Sequence, residues 1–229
     1  MDSKEIKRRI LYEDNHLLVF NKPSGIPSQP DISGDLSIPD AIKAYIKERD
    51  QKPGNVYLGL VHRLDRPVSG VMVLAKSAKS LSRLTQAFRD RKVTKVYHAI
   101  VCGIPKQDQG TLEHYHKKDS EKHRALLRKT AWPGAKKISL EYELLKHINH
   151  YSLLKVIPSE GKFHQIRAQL SKAGNPIAGD LKYGAKRNTS EKLMGLHAHT
   201  LILSHPTTGQ TLSFYAPYPV SQLWGKFSG

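Results

Sequence analysis

The chain has 229 residues, with 37 Lys or Arg against 20 Asp or Glu, giving a formal net charge of +17 at pH 7 and a pI near 9.9. With 38% hydrophobic and 25% charged residues, the composition is that of a globular protein large enough for one sizeable core, which argues against a disordered tail protein. No apolar run reaches the roughly 18 residues of a membrane helix, the first twenty residues lack the apolar stretch of a secretory signal, and the one cysteine, Cys102, excludes internal disulfides. A cytoplasmic protein with a polyanionic partner is the expectation, because phosphates neutralise cations that otherwise repel one another.

Near the start, Arg9 to Glu13 and His16 to Asn21 read as two strands joined by the turn formers Asp14 and Asn15, the second stopping at Pro23. Ser37 suits a helix N-cap, with Pro39 and Asp40 in the first turn and Ile42, Tyr45 and Ile46 on one face. Leu58 to Leu64 and Gly70 to Lys76 read as strands, and Ser77 caps a helix whose Leu81, Leu84 and Phe88 recur on one side.

Val93 to Cys102 alternates like a strand and ends at Gly103. Residues Tyr115 to Lys137 are the least periodic, with eight Lys or Arg against Asp119 and Glu121, and read as a surface insertion or loop hairpin. Ile138 to Leu144 and Tyr151 to Ile157 form a further strand pair, His164 to Lys172 a short helix closed by Gly174, and Leu196 to Leu203 with Thr211 to Ala216 a final hairpin. Frequent strands with three helices predict a single α+β domain over residues 1–229, without regular βαβ alternation.

The densest chemical cluster is Val61-His62-Arg63-Leu64-Asp65-Arg66-Pro67-Val68-Ser69-Gly70, set between two apolar runs. The neighbouring Arg63 and Arg66 favour the ionised form of Asp65, which then can act as nucleophile or base, or simply as a salt-bridge partner in a turn. This block, continued to Lys76, resembles the signature of the RluA-type pseudouridine synthases. Other blocks agree in order: Asn21-Lys22-Pro23-Ser24-Gly25, Lys95-Val96-Tyr97, Gly161 to Arg167, Asn175 to Gly184, and Leu196 to His199 continuing to Pro206.

The resemblance implies a largely antiparallel central sheet with a cleft across it, and a cofactor-independent isomerisation of uridine to pseudouridine in RNA. It assigns the catalytic carboxylate to Asp65, base stacking and proton transfer to Tyr97, and a charge partner of Asp65 to Arg167. RNA contacts are expected from Lys22, His62, Arg63, Arg66 and Lys95, with Arg63 a candidate to fill the space left by a flipped base. The cationic segment 115–137 adds Lys117, Lys118, Arg128 and Lys129 as phosphate contacts.

The chain departs from the family pattern at two places: Val68 replaces a threonine, and Lys162-Phe163 replaces an Arg-Thr pair. The opening motif begins so early that the S4 RNA-binding domain of many members is not expected. The pairs His114/His116 and His197/His199 lack further spaced ligands, no dinucleotide or P-loop fingerprint is present, and neither metal nor cofactor is expected. The expected substrate is ribosomal or transfer RNA and the expected state a monomer. A noncatalytic RNA-binding or ribosome-assembly factor on the same scaffold, and a glycosylase acting on a flipped base, are the rival readings.

Overall fold

The computed structural model describes residues 1–185 and 193–227. They group into two compact units: residues 1–94 with 198–217, and residues 95–197 with the C-terminal segment from Tyr218. Each is α+β with antiparallel strand pairing.

In the first unit, α1 (Ser3–Arg9) is followed by β1 (Ile10–Glu13) and β2 (Leu17–Lys22), whose connecting turn is fixed by Asp14 Oδ1 accepting the N–H groups of His16 and Leu17 at 2.7 and 2.8 Å. Helix α2 (Ile38–Arg49) buries Ile38, Ala41, Ile42, Tyr45 and Ile46, the face expected from their spacing. Strand β3 is only Gly59–Leu60, and β4 (Ser69–Ala75) is buried throughout and pairs antiparallel with β2 from Leu17↔Ala75 to Lys22↔Gly70. Helix α3 (Ala78–Arg89) starts where Ser77 Oγ accepts the Ser80 N–H. The core collects Leu17, Val19, Val71, Val73, Leu84 and Leu201 among others.

In the second unit, β5 (Thr94–Cys102), β6 (Gln109–Asp119), β7 (Arg124–Arg128), β8 (Lys136–Ile148) and β9 (Tyr151–Pro158) lie in the order β5-β9-β8-β6-β7, every neighbour antiparallel. Helix α4 (Gln165–Lys172) and a 3₁₀ turn, Leu181–Tyr183, follow. Strand β10 (Leu196–Ser204) belongs to the first unit from Ala198 onward and pairs there with β11 (Thr211–Tyr215); α5 (Gln222–Gly225) buries Leu223 and Trp224 against Ile100, Leu153 and Ala178. Cys102 ends β5 half-buried, its N–H on the Pro176 carbonyl at 2.9 Å and its own carbonyl receiving Asn175 Nδ2 at 3.1 Å.

Two expectations need correction. Leu58 to Leu64 is mostly loop, and Val61 and Leu64 are apolar because the loop itself is buried. The count of three helices misses α1 and α5: α1 turns only Ile6 inward, so it has no stripe to recognise, and α5 has just four residues. Of the two readings of 115–137, surface insertion or loop hairpin, a hairpin forms, β6 pairing β7 from Tyr115↔Arg128 to Asp119↔Arg124. Its alternation is masked because the inward residues His114 and His116 are polar.

Candidate active site

The chain between β3 and β4 makes a turn at Asp65, whose carbonyl accepts the Val68 N–H at 2.9 Å. The carbonyls along this turn are held by side chains from the loop after β2. Buried Ser28 both donates to the Leu64 carbonyl at 2.7 Å and accepts the Leu64 N–H at 3.2 Å, and Ser24 Oγ donates to the Pro67 carbonyl at 2.8 Å. Lys22, the last residue of β2, lies wholly buried beneath the turn. Its Nζ donates to the carbonyls of Val68, Pro23 and Arg66 at 2.7, 2.9 and 3.1 Å. Three acceptors match the three protons of an ammonium. Burial pushes the Lys22 pKa down to about 7, opposed by the Asp65 carboxylate and aided by Arg66.

From outside, Arg66 closes the same turn. Its Nε donates to the Gly25 carbonyl at 2.8 Å, its Nη1 to Ser33 Oγ at 2.9 Å, and its Nη2 pairs with Asp35. Hydrogen bonds from Ser33 to Asp31, and from Arg66 to Asp35, hold those carboxyls below their ordinary range. Asp65 is half-exposed between these two lysine and arginine anchors. Gly70, the second residue of β4, has φ +116°, and a Cβ there would lie 2.2 Å from the Ala198 carbonyl oxygen, so only glycine permits this approach to β10.

The RNA contacts expected in this unit divide accordingly. Lys22 is corrected: with its ammonium buried and bound to three carbonyls, it secures the turn and is not presented to RNA. His62 stacks on Phe88 with centroids 4.7 Å apart and accepts the Val73 N–H on Nε2 at 3.1 Å, which makes it a brace for β4. Arg63 is exposed, with Nη1 on Gln29 Oε1 at 3.1 Å.

In the second unit, Tyr97 sits in β5 opposite Val156, half-exposed, and Lys95 donates to the Glu160 carbonyl at 2.9 Å. Arg167, in α4, is 6% exposed; its Nε and Nη2 form a two-point pair with Asp180 at 2.7 and 2.9 Å. Lys117, Lys118, Arg128 and Lys129 are exposed on the hairpin and its following loop, with Arg128 over the Trp132 ring at 5.0 Å. Asp180 and Tyr183 stood inside a recognised motif without an assigned role, whereas Ser28 carried no motif signal at all. Among the described residues no cluster of three or more His, Cys, Asp or Glu is placed to hold a metal ion.

The two departures have visible surroundings. Val68 is 3% exposed and acts in the turn through its backbone, so an apolar side chain suits the site. Phe163 stacks on His164 at 3.8 Å, beneath the Lys118 ammonium at 4.9 Å, and its carbonyl lies 2.9 Å from His116 Nε2.

The site is thus an aspartate on a turn held by lysine, serine and arginine side chains, and comparisons with known proteins supply the family. The RNA pseudouridylate synthase family matches residues 16–172. The chain is 34% identical to ribosomal large subunit pseudouridine synthase C of Buchnera aphidicola, over 95% of this chain and 69% of that one, and 34% identical to an uncharacterized RNA pseudouridine synthase of Chlorobaculum parvum, over 94% and 72%. The structure of human RNA pseudouridylate synthase domain containing 4 superposes with a TM-score of 0.78 at 28% identity, covering 95% of this chain and 91% of that one. The chain belongs to the RNA pseudouridine synthases, in their RluA-type branch, and is therefore an isomerase acting on RNA.

Proposed function

We propose that Asp65 supplies the catalytic carboxylate, with Tyr97 and Arg167 acting in the same reaction, and that residues 1–229 work as one catalytic domain. The reaction breaks the bond from ribose C1′ to N1, turns the uracil and joins C1′ to C5; N1 gains a proton and C5 loses one. Asp65 either attacks the sugar or promotes a glycal intermediate, Tyr97 stacks on the base and assists removal of the C5 proton, and Arg167 supports the ionised carboxylate. The observation that carries this reading is the Asp65 turn itself: Ser24, Ser28 and Lys22 together hold the carbonyls of Leu64, Arg66, Pro67 and Val68, so the carboxylate stands on a fixed base.

The proposed substrate is a structured ribosomal or transfer RNA in the cytoplasm, with ribosomal RNA favoured by the names of the relatives. Arg63 enters the space of the flipped base, and the hairpin cations contact phosphates. The protein acts as a monomer without cofactor. Tritium release from C5-labelled uridine, with the base retained in the RNA, tests the reaction. Free uracil would indicate a glycosylase, and binding without release a scaffold protein; release that persists in Asp65→Asn would remove Asp65 from the chemistry.

A further inference from the structure

Tyr183 is 5% exposed, and its side chain meets two elements, β7 and α4. Its hydroxyl accepts the N–H of Ala125 in β7 at 2.7 Å and lies 2.9 Å from Nδ1 of His164, the residue that opens α4. Its ring lies under two guanidinium groups, that of Arg167 at 5.2 Å and that of Arg124, the neighbour of Ala125, at 5.4 Å. Its backbone is tied as well: the carbonyl accepts Ser171 Oγ of α4 at 2.7 Å, and the N–H donates at 3.1 Å to the carbonyl of Asp180, whose carboxylate holds Arg167.

A second route runs from the hairpin to the same hydroxyl. Lys118 in β6 lies over Phe163, Phe163 stacks on His164, and His164 reaches Tyr183 Oη. Strand β7 is the last in its sheet order, paired to β6 along one edge. Tyr183 therefore supplies an anchor for β7 that the ladder does not, through Ala125.

We propose that Tyr183 is a positioning residue that couples the β6–β7 hairpin to Arg167, so that RNA seated on the hairpin raises the rate of isomerisation as well as the affinity. This rests on the roles given above to Arg167 and to the hairpin cations. Phosphates bound by Lys118, Arg128 and Lys129 fix β6 and β7; the Ala125 N–H and the Phe163–His164 stack then fix the tyrosine hydroxyl. The ring and the Asp180 carboxylate are two supports of one guanidinium, so fixing the ring narrows the orientations open to Arg167.

The test is a double-mutant cycle on the full chain, with an RNA transcript carrying a mapped target uridine, reading both the dissociation constant and the single-turnover rate at saturating RNA. Lys118→Ala, Arg128→Ala and Lys129→Ala combined should weaken binding and lower the saturating rate by about tenfold, within the range of coupling inside one contact network. Tyr183→Phe keeps the ring but loses the hydroxyl. In that background the loss of affinity should remain while the further loss of rate disappears. Rate losses that simply multiply would overturn the proposal and leave Tyr183 a core residue. Should Tyr183→Phe not fold, Arg124→Ala at its exposed site gives the second arm, and an unchanged saturating rate there also overturns the coupling. Failure of the underlying reading looks different: Arg167→Lys at full rate removes Arg167 from the chemistry, and unaltered affinity in the hairpin variant removes the hairpin from RNA; either result withdraws the coupling too.

Discussion

A buried ammonium costs a folded chain several kcal/mol unless its protons meet acceptors, and Lys22 meets three carbonyls, those of Arg66 and Val68 in the turn around Asp65 and that of Pro23 beside it. Its pKa, about 7 in the fold against 10.5 for a free side chain, fixes the sign of its pH dependence. Between those values the unfolded chain holds a proton that the folded chain has released, so unfolding takes up a proton and stability rises with pH. Relative to Lys22→Met, the wild type should gain up to about 1.4 kcal/mol per pH unit in that window. Urea titrations at successive pH values across it check this; a constant difference would mean that the ammonium keeps its proton inside the turn. Asp65→Asn should fold normally and retain less than about a thousandth of wild-type turnover, since a central carboxylate contributes several kcal/mol to the transition state. Gly70→Ala combines positive-φ strain with a backbone collision at Ala198, and a loss of roughly 2 to 5 kcal/mol should appear in chemical denaturation.

Among the elements, the β6–β7 hairpin places Lys117 and Lys118 on one strand and Arg128 at the end of the other. Replacing these and Lys129 by Ala should flatten the dependence of log affinity on log salt by up to roughly 0.7 to 0.9 for each phosphate that is no longer neutralised; an unchanged slope would return the hairpin to solvent. This element also shows what a sequence conceals. Helices α2 and α3 were legible because Ile42, Tyr45, Ile46 and Leu84 repeat at helical spacing behind Ser37 and Ser77. The hairpin was legible only as one of two alternatives, because His114 and His116 occupy inward positions where apolar residues would have marked the alternation. Asp65 was legible from its motif, yet the long-range partners of its turn were not: Ser28 lies 36 residues from the Leu64 carbonyl it holds, and nothing local marks that pairing. Lys22 misled for a related reason, since a lysine in a basic chain reads as a solvent cation until three carbonyls are seen around it.

For the molecule as a whole, a net charge of +17 supplies attraction to any phosphate backbone and little discrimination between sequences. Selection of a uridine then falls to the ease with which it leaves the stack, at a cost of a few kcal/mol that is least for a loop or bulge. A stem-loop of about 20 nucleotides around a mapped site should accordingly react within about tenfold of the full transcript. Turnover confined to an assembled ribosomal particle would show that an extended RNA surface or a partner selects the site.

Cys102, the chain's one cysteine, gives the protein a native reporter of its own opening. Burial at the end of β5 pushes the thiol up, so the reactive thiolate is scarce while the strand end is held by Pro176 and Asn175. Iodoacetamide should label the folded protein more slowly than free cysteine at the same pH, and the two rates should converge as urea releases β5. Because no other thiol competes, the mass of the alkylated chain times this release without an engineered probe, and adding RNA during the pulse reports whether substrate binding tightens the strand that carries Tyr97.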